Sequence, residues 1–257
     1  MREVLDFEYK CTSEFSQPVY NHSFLLRCKP FNVVNQRIDI VETHNYASPQ
    51  NYASPQNGID GFGNSTCFGL IKDYHDRFSV LSSGRVAIDN SLQDNVFNPV
   101  FKYPSPLTIP NAALTDFAKT FAGKTAAETV KKIGAAVHNT IVYKPLTTNN
   151  TTTAQEVFQQ KSGVCQDLSH VMITCLRING IAARYVSGYV KGLQLSHAWV
   201  EAFYDGCWQG FDVTENSYVQ GGYIKVAHGR DAADCPLNRG IFIGNAIENV
   251  KIEIEVI

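Results

Sequence analysis

Hydrophobic and charged residues alternate at the start of the chain. Positions 5, 7 and 9 are apolar and positions 6, 8 and 10 are charged, which is the two-residue period of a strand with one buried face. Further apolar runs, separated by Gly, Asn and Ser residues, predict more strands at 22–28, 33–41, 66–72, 77–81 and 85–88. This part of the chain is therefore expected to form an antiparallel β-sheet or sandwich.

The pattern changes after a proline-rich segment at 103–110. Its three prolines predict a semi-rigid linker. We place a domain boundary inside it, with an N-terminal β-domain at 1–105 and a second domain at 106–257. The second domain opens with helical periods at 112–121 and 125–141. A third helix is predicted from Cys165, because apolar residues recur three and four positions apart as far as residue 176.

Strands follow this third helix at 183–190, 197–204 and 207–214. Asp205-Gly206 joins the last two and is a strong signal for a two-residue hairpin. Residues 251–257 alternate again and predict a C-terminal strand, which could return to the first domain. The predicted fold class is α+β, with a β-rich N-terminal domain before a core of helices and antiparallel strands.

A six-residue sequence, NYASPQ, occurs twice in succession at 45–50 and 51–56. Two short copies are too few for a solenoid, and the proline in each copy opposes a regular β-ladder. We interpret the segment as a duplicated surface loop. A peptide-binding role for it has no support in the sequence.

The composition excludes several classes of protein. The 257 residues include 22 Lys and Arg against 24 Asp and Glu, a net charge of −2, so nucleic acid or an anionic membrane is not an expected partner. No apolar run approaches the length of a membrane span. The N-terminal residues also lack the apolar region of a secretory signal, and the chain is therefore expected in the cytoplasm.

The seven cysteines pose the first chemical question. An odd number leaves at least one thiol without an intramolecular partner, and disulfides are not expected in a cytoplasmic chain of this size. The chain has no C-x-x-C pair, calcium loop or H-E-x-x-H motif. We therefore expect no metal and no cofactor, and most of the thiols should be buried as small hydrophobic side chains.

Cys165 differs from the other cysteines because it follows Gly163-Val164 at the predicted start of a helix. The unpaired N–H groups and positive dipole of a helix N-terminus stabilise a thiolate. The same N–H groups can hold the oxyanion that forms when a thiolate attacks a carbonyl. The alternative is a buried cysteine without a chemical role.

The predicted hairpin brings a histidine and an aspartate together. With a two-residue turn at Asp205-Gly206, Tyr204 faces Cys207, and His197 and Asp212 become diagonal neighbours on one face. A carboxylate beside an imidazole fixes the imidazole tautomer and stabilises its charged form. Such an imidazole can take the proton of a cysteine and pass it to a leaving amine.

Four ordered motifs then resemble the bacterial transglutaminase-like family of papain-like cysteine enzymes. They are GVCQDLSH from residue 163, GIAARYVSGY from 180, HAWVE from 197 and GFDVT from 210. The resemblance extends to HGRDAADCP from residue 228 and to a turn of the family's N-terminal β-domain near residue 60. Ala182 and Val213 depart from it, since the family often has proline there. These positions shape the backbone and do not alter the chemical groups.

The resemblance implies a papain-like core in which a helix bearing the nucleophile packs on an antiparallel sheet. It implies Cys165 as nucleophile, His197 as base and Asp212 as the orienting carboxylate. Gln166, Asp167 and His170 match the family motif and are expected to support the site, with Asp167 and His170 close enough on the helix to meet. Tyr143 is a further candidate, whose hydroxyl would reach the oxyanion beside the Cys165 backbone.

Three functions stay open at this point. The thioester formed on a catalytic cysteine is resolved by water in a peptidase or amidase and by an amine in a transglutaminase. Hydrolysis is preferred because water needs no dedicated acceptor site. The third alternative is a non-catalytic binding or scaffold module that retains the fold. A peptide or protein is the expected substrate, and the sequence indicates no oligomeric state.

Overall fold

The computed structural model describes residues 2–48 and 55–257 of the chain. In the described residues, the strands are β1 (Arg2–Leu26), β2 (Gln36–Ser48), β3 (Gln56–Ile59), β4 (Ser65–Ile71), β5 (His75–Asp89), β6 (Val142–Tyr143), β7 (Ser162–Gly163), β8 (Ala182–Val190), β9 (His197–Tyr204), β10 (Cys207–Asp212), β11 (Ser217–Tyr218), β12 (Tyr223–Gly229), β13 (Asn238–Ile243) and β14 (Glu248–Val256). The helices are α1 (Ala112–Thr120), α2 (Ala126–Thr140), α3 (Ala154–Gln160) and α4 (Cys165–Ile178), with short 3₁₀ turns at Pro99–Lys102, Pro106–Thr108 and Ala232–Asp234. The predicted α+β fold class is confirmed.

A curled antiparallel sheet forms the N-terminal part of the molecule, and β1 is its central strand. The first half of β1 lies between β5 and β14, and its second half lies between β4 and β13. The sequence predicted two separate strands here, because polar residues interrupt the apolar alternation. Thr12 and Ser13 are nevertheless buried within the continuous strand. The C-terminal strand β14 pairs with β1 from Phe7 to Phe15.

Strand β5 was also predicted as two strands, with a turn at Ser82-Ser83-Gly84. The strand instead continues through Gly84, where a side chain would collide with the carbonyl oxygen of Ile40 on β2. The glycine therefore allows a close approach between strands and does not form a turn.

The interpretation of the NYASPQ repeat as a surface loop is wrong at its beginning. Residues 45–48 continue β2 and pair with β5, because the ladder extends up to the first proline of the repeat. Residues 49–54 lie outside the described residues, so the prediction for that part stays open.

The second layer is a five-stranded antiparallel sheet in the order β11-β10-β9-β8-β12. α4 packs on one face of this sheet, and α1, α2 and α3 pack around α4. The predicted helices at 112–121 and 125–141 agree with α1 and α2. The sequence missed α3, which has only 7 residues, and β12, which is buried along most of its length and shows no alternation.

Part of the segment at 103–110 packs against the protein, whereas Tyr103 and Ile109 are exposed. Leu107 and Thr108 are buried, and the buried Arg177 guanidinium on α4 donates to the Phe101 carbonyl at 3.0 Å and to Thr108 Oγ1 at 2.7 Å. The cation needs these acceptors because burial without them is costly. The position of the boundary between the two predicted domains stays a prediction.

Two amide side chains of the N-terminal part cover the outer edge of the second sheet. They are Gln36, at the start of β2, and Asn64, in the turn between β3 and β4. Gln36 donates to the Lys225 carbonyl and accepts from the Lys225 N–H, each at 2.8 Å. Asn64 bonds the N–H and the carbonyl of His228 in the same way, also at 2.8 Å. Since β12 is an edge strand, these amides satisfy backbone groups that a neighbouring strand would otherwise pair. This contact fixes β12 against the N-terminal sheet.

None of the helices in the described part of the chain is both long enough and apolar enough to cross a membrane.

Candidate active site

The candidate nucleophile is the first residue of α4. Val164 precedes it in an extended conformation and accepts the N–H groups of Asp167 and Leu168 through its carbonyl oxygen. Cys165 is half-buried, whereas the other six cysteines are buried. The structure therefore places the most accessible thiol at a helix N-terminus, where unpaired N–H groups and the helix dipole favour a negative charge.

The turn before Cys165 is held by a buried carboxylate. Asp167 Oδ2 accepts the Val164 N–H at 2.7 Å and the Thr148 hydroxyl at 2.7 Å. Burial raises the pKa of Asp167, and these two hydrogen bonds oppose that rise. A side chain at Gly163 would place its Cβ 2.6 Å from the Asp167 Cβ, so only glycine leaves room for this cap.

We expect the substitution Asp167→Ala to slow the alkylation of Cys165 and to destabilise the protein by about 1–2 kcal/mol. The alanine leaves the Val164 N–H without its acceptor and releases the loop that contains Thr148. Alkylation is followed by mass spectrometry and stability by urea unfolding.

Glu156→Ala is the matched control for this change, because Glu156 caps α3 with a hydrogen bond of 2.8 Å to the Thr153 N–H. This control should lose only stability and should retain the wild-type alkylation rate. Equal alkylation rates in the Asp167 variant and the wild type would show that the cap does not position Cys165.

The candidate base is the first residue of β9. The hairpin has the predicted register, with Tyr204 opposite Cys207 and Glu201 opposite Gly210. This register brings His197 Nε2 to 2.7 Å from Asp212 Oδ2. His197 is 7% exposed and Asp212 is fully buried at 0%, so the pair is shielded from water.

The Asp212 carboxylate is surrounded by hydrogen-bond donors. Its Oδ1 accepts the N–H groups of Thr214 at 2.9 Å and Glu215 at 3.2 Å, and its Oδ2 also accepts the Tyr223 hydroxyl at 2.8 Å. Burial alone would raise the pKa of Asp212, but its hydrogen bonds and the charge of His197 hold this pKa below the ordinary value. The geometry therefore favours the charged carboxylate.

Cys165 and Asp212 both influence the charge of the His197 imidazole. Burial opposes the charged imidazole, but hydrogen bonds with Asp212 and Cys165, and the charges of both, raise the pKa of His197 to about 10. Since Nε2 is engaged by Asp212, Nδ1 is the ring nitrogen that stays available to another group. The arrangement favours the charged imidazolium at neutral pH.

Tyr143 lies beside the nucleophile but is not enclosed by the protein. It pairs with Gly163 in the short parallel ladder before Cys165, and its side chain is 52% exposed. Burial, followed by the charges of Cys165 and Asp167, raises the pKa of Tyr143. The phenol therefore remains a proton donor at neutral pH.

The expected contact between Asp167 and His170 does not form. Asp167 turns back to cap α4, whereas His170 Nε2 accepts the Ala232 N–H at 3.1 Å. Asp167 Oδ1 and His170 Nδ1 are both buried without a hydrogen-bond partner. Burial lowers the pKa of His170 to about 4, so this residue is a neutral link to the turn at 231–232. Gln166 is half-buried on the first turn of α4.

Two residues that contact the candidate site were missed by the sequence reasoning. Tyr223 lies in β12, which the apolar pattern did not predict, and Thr148 lies in a polar loop with several similar residues. No sequence pattern around either residue points to the site. Each is recognised only in the structure, from its hydrogen bond to Asp212 or Asp167. Among residues 2–48 and 55–257, no group of three or more His, Cys, Asp and Glu side chains is arranged to hold a metal ion.

Comparisons with known proteins bear on the family and the fold of the chain. Residues 115–213 match the family model of the transglutaminase-like superfamily. An uncharacterized protein of Mycobacterium tuberculosis is 31% identical over 192 residues, which cover 67% of this chain and 57% of that protein. An uncharacterized protein of Mycobacterium leprae is 35% identical over 124 residues, which cover 44% of each. The chain thus spans less than two thirds of either relative.

One solved structure matches along the whole chain. It is named a putative cysteine protease from Cytophaga hutchinsonii, and it has a TM-score of 0.78 at 23% identity, covering 100% of this chain and 92% of its own. At this identity the likeness shows a shared fold. The N-terminal sheet and the second sheet therefore occur together in another protein.

Proposed function

We propose that this chain is a cysteine-dependent enzyme that cleaves amide bonds, since its residues 115–213 match the family model of the transglutaminase-like superfamily. In this proposal Cys165 is the nucleophile, His197 is the acid and base, and Asp212 orients the imidazole. The observation that carries the proposal is the bond of 2.7 Å between His197 Nε2 and Asp212 Oδ2, together with Cys165 at the start of α4, which helps raise the pKa of His197.

The first step forms a thioester. The Cys165 thiolate attacks the carbonyl carbon of the amide, so a C–S bond forms and the carbonyl π electrons move to oxygen. When the tetrahedral intermediate collapses, the C–N bond breaks and His197 gives its Nδ1 proton to the departing nitrogen. Asp212 keeps the remaining proton on Nε2, which leaves Nδ1 free to exchange protons with the reacting groups.

The oxyanion would form beside the start of α4. The N–H groups of a first helical turn have no acceptor within the helix, and they stabilise a negative oxygen close to the nucleophile. The backbone N–H of Cys165 is one such donor, because Cys165 is the first residue of α4. Tyr143 is the second candidate donor, because it lies against Gly163 and its phenol keeps its proton.

The second step releases the acyl group. Water gives a proton to His197 Nδ1 and attacks the thioester, a C–O bond forms, the C–S bond breaks, and the products are a carboxylic acid and the Cys165 thiolate. An amine that attacked in place of water would form a new amide, which is transamidation. We favour hydrolysis because it needs no acceptor-binding site.

Selective alkylation tests whether Cys165 is activated. Iodoacetamide at about pH 6 should modify one cysteine per chain, Cys165, because an ordinary thiol is almost fully protonated there. His197→Gln should slow this reaction by about 100-fold. The matched control is His138→Gln, since His138 lies on α2 and contacts the Val213 carbonyl at 3.2 Å; it should leave the rate unchanged.

An assay with a glutamine-containing peptide and a labelled amine then separates the possible reactions. Peptide cleavage or ammonia release without amine incorporation supports a peptidase or amidase. Incorporation of the amine would identify a transglutaminase and overturn the preference for hydrolysis. Indiscriminate alkylation, or a rate that His197→Gln does not change, would contradict the catalytic proposal and favour a binding module with this fold.

A further inference from the structure

Tyr223 contacts the candidate site at the oxygen that also binds the imidazole. Its hydroxyl donates to Asp212 Oδ2 at 2.8 Å, and His197 Nε2 lies 2.7 Å from the same oxygen. Oδ2 therefore accepts hydrogen bonds from two side chains, while Oδ1 accepts two backbone N–H groups.

The ring of Tyr223 is held by packing from the second sheet. It meets the Trp199 ring edge to face at 5.3 Å. Trp199 can occupy that position because Gly188 has no side chain, since a Cβ there would lie 2.6 Å from the indole ring. The ring of Tyr223 thus lies between those of Trp199 and His197, and Trp199 packs against Gly188 of β8.

The backbone before Tyr223 is held by the N-terminal sheet. Glu3 Oε2 on β1 accepts the Gly222 N–H at 2.8 Å, and the Lys191 N–H donates to the Gly222 carbonyl at 2.9 Å. Gly222 has a positive φ of 86°, a conformation that glycine adopts without strain. A chain of direct contacts thus runs from β1 through Gly222, Tyr223 and Asp212 to His197.

We propose that Tyr223 is a positioning residue that controls how strongly Asp212 holds the His197 imidazole, and that Glu3 of the N-terminal sheet keeps Tyr223 in place. This inference rests on the proposed function of the Cys165–His197–Asp212 group. A hydrogen bond from the phenol stabilises the charge of the carboxylate and so makes Oδ2 a weaker acceptor for the imidazole. Removing the phenol hydroxyl should therefore strengthen the bond between Asp212 and His197.

The groups that face this pair come from several elements. Cys165 faces His197 from α4, Tyr223 faces Asp212 from β12, and the Glu215 carboxylate after β10 is close enough to help raise the pKa of Tyr223. Burial and the charge of Asp212 raise that pKa more strongly, so the phenol stays protonated and donates. Only the hydroxyl is lost in Tyr223→Phe, and the other charges are unchanged.

The test compares Tyr223→Phe with wild type and with Tyr218→Phe. The control removes another phenol from the same sheet, where Tyr218 packs edge to face against the Phe211 ring. In Tyr223→Phe we expect the alkaline limb of the Cys165 alkylation profile to move up by about half to one pH unit. A less acidic imidazolium should also lower kcat about three- to tenfold with KM unchanged.

A second readout does not depend on catalysis. The His197 Nε2–H proton, observed by NMR, should move downfield in Tyr223→Phe because its bond to Asp212 strengthens, and it should not move in Tyr218→Phe. An unchanged resonance would overturn the inference even if Cys165 is catalytic. A shifted resonance in a protein without amide-cleaving activity would support the contact while contradicting the proposed function.

Variants of Glu3 test the contribution of the N-terminal sheet. Glu3→Gln keeps an acceptor oxygen for the Gly222 N–H and should leave the His197 resonance and the alkylation profile at their wild-type positions. Glu3→Ala removes the acceptor and should shift both in the same direction as Tyr223→Phe. A wild-type profile in Glu3→Ala would show that β1 does not hold Tyr223.

Discussion

Replacing Cys165 with alanine is expected to lower the rate of amide cleavage by about 10⁴- to 10⁶-fold, because residues that act as one catalytic unit lose nearly all of their effect together. The methyl side chain cannot form the thioester. His197 and Asp212 would remain in place, since their bond lies within the β9–β10 hairpin. The measurement is the turnover of a peptide substrate by the purified variant.

The fold should tolerate this change well. Cys165 is only half-buried at the first position of α4, and alanine is the best helix former. The matched control is Cys175→Ala, a buried cysteine further along the same helix. It should lose stability through a small cavity and retain turnover per folded molecule. Turnover by the Cys165 variant within about tenfold of wild type, a difference of only 1.4 kcal/mol, would contradict the assignment.

Replacing Asp212 with asparagine is expected to lower kcat by about 10⁴-fold through the tautomer of His197. The N–H groups of Thr214 and Glu215 donate to Oδ1, so the amide oxygen must occupy that position. The NH₂ group then takes the place of Oδ2 and donates to His197 Nε2. The ring proton is forced onto Nδ1, which can no longer accept the proton of Cys165.

The same variant should change how stability depends on pH. The pKa of His197 is raised from 6.5 to about 10 in the folded protein. The stabilisation from its charged form is therefore fully present below pH 6.5 and lost as the pH rises through about 10. Without the carboxylate this pKa falls, so urea unfolding of the variant should show a weaker decline in stability across that range.

Asp205→Asn is the matched control, since Asp205 is an exposed residue in the hairpin turn with a φ of 50°, where asparagine is also tolerated. It should keep both the turnover and the pH dependence of the wild type. Wild-type turnover in Asp212→Asn would show that the carboxylate does not set the tautomer.

Local patterns in the sequence were enough to predict the proximity of His197 and Asp212 and the start of a helix at Cys165. Asp205-Gly206 determines a two-residue turn, and the turn determines which residues of β9 and β10 face each other. The proximity of His197 and Asp212 follows from that register without any information from the rest of the chain. The start of α4 at Cys165 is equally local, because it depends on the glycine before it and on the apolar stripe behind it.

The long strands were predicted less well for a physical reason. The alternation of apolar residues and the turn-forming residues describe each strand without its neighbours. The buried polar residues of β1 and the Ser-Ser-Gly segment of β5 were therefore interpreted as interruptions. Their neighbours in the sheet supply the missing hydrogen bonds and make the strands continuous. A strand such as β12, buried on both faces, has no alternation to detect.

The sequence by itself determined the α+β order of elements, the helix that begins at Cys165 and the register that joins His197 to Asp212. Only the tertiary structure decided that α4 meets the start of β9 and that Tyr223 shares an oxygen with His197. It also decided that Thr148 secures the cap of α4 and that Glu3 reaches Gly222 from the N-terminal sheet. These contacts join residues far apart in the chain. Periodicity specifies which face of an element is buried, but not which other element covers it, and the packing of whole layers makes that choice.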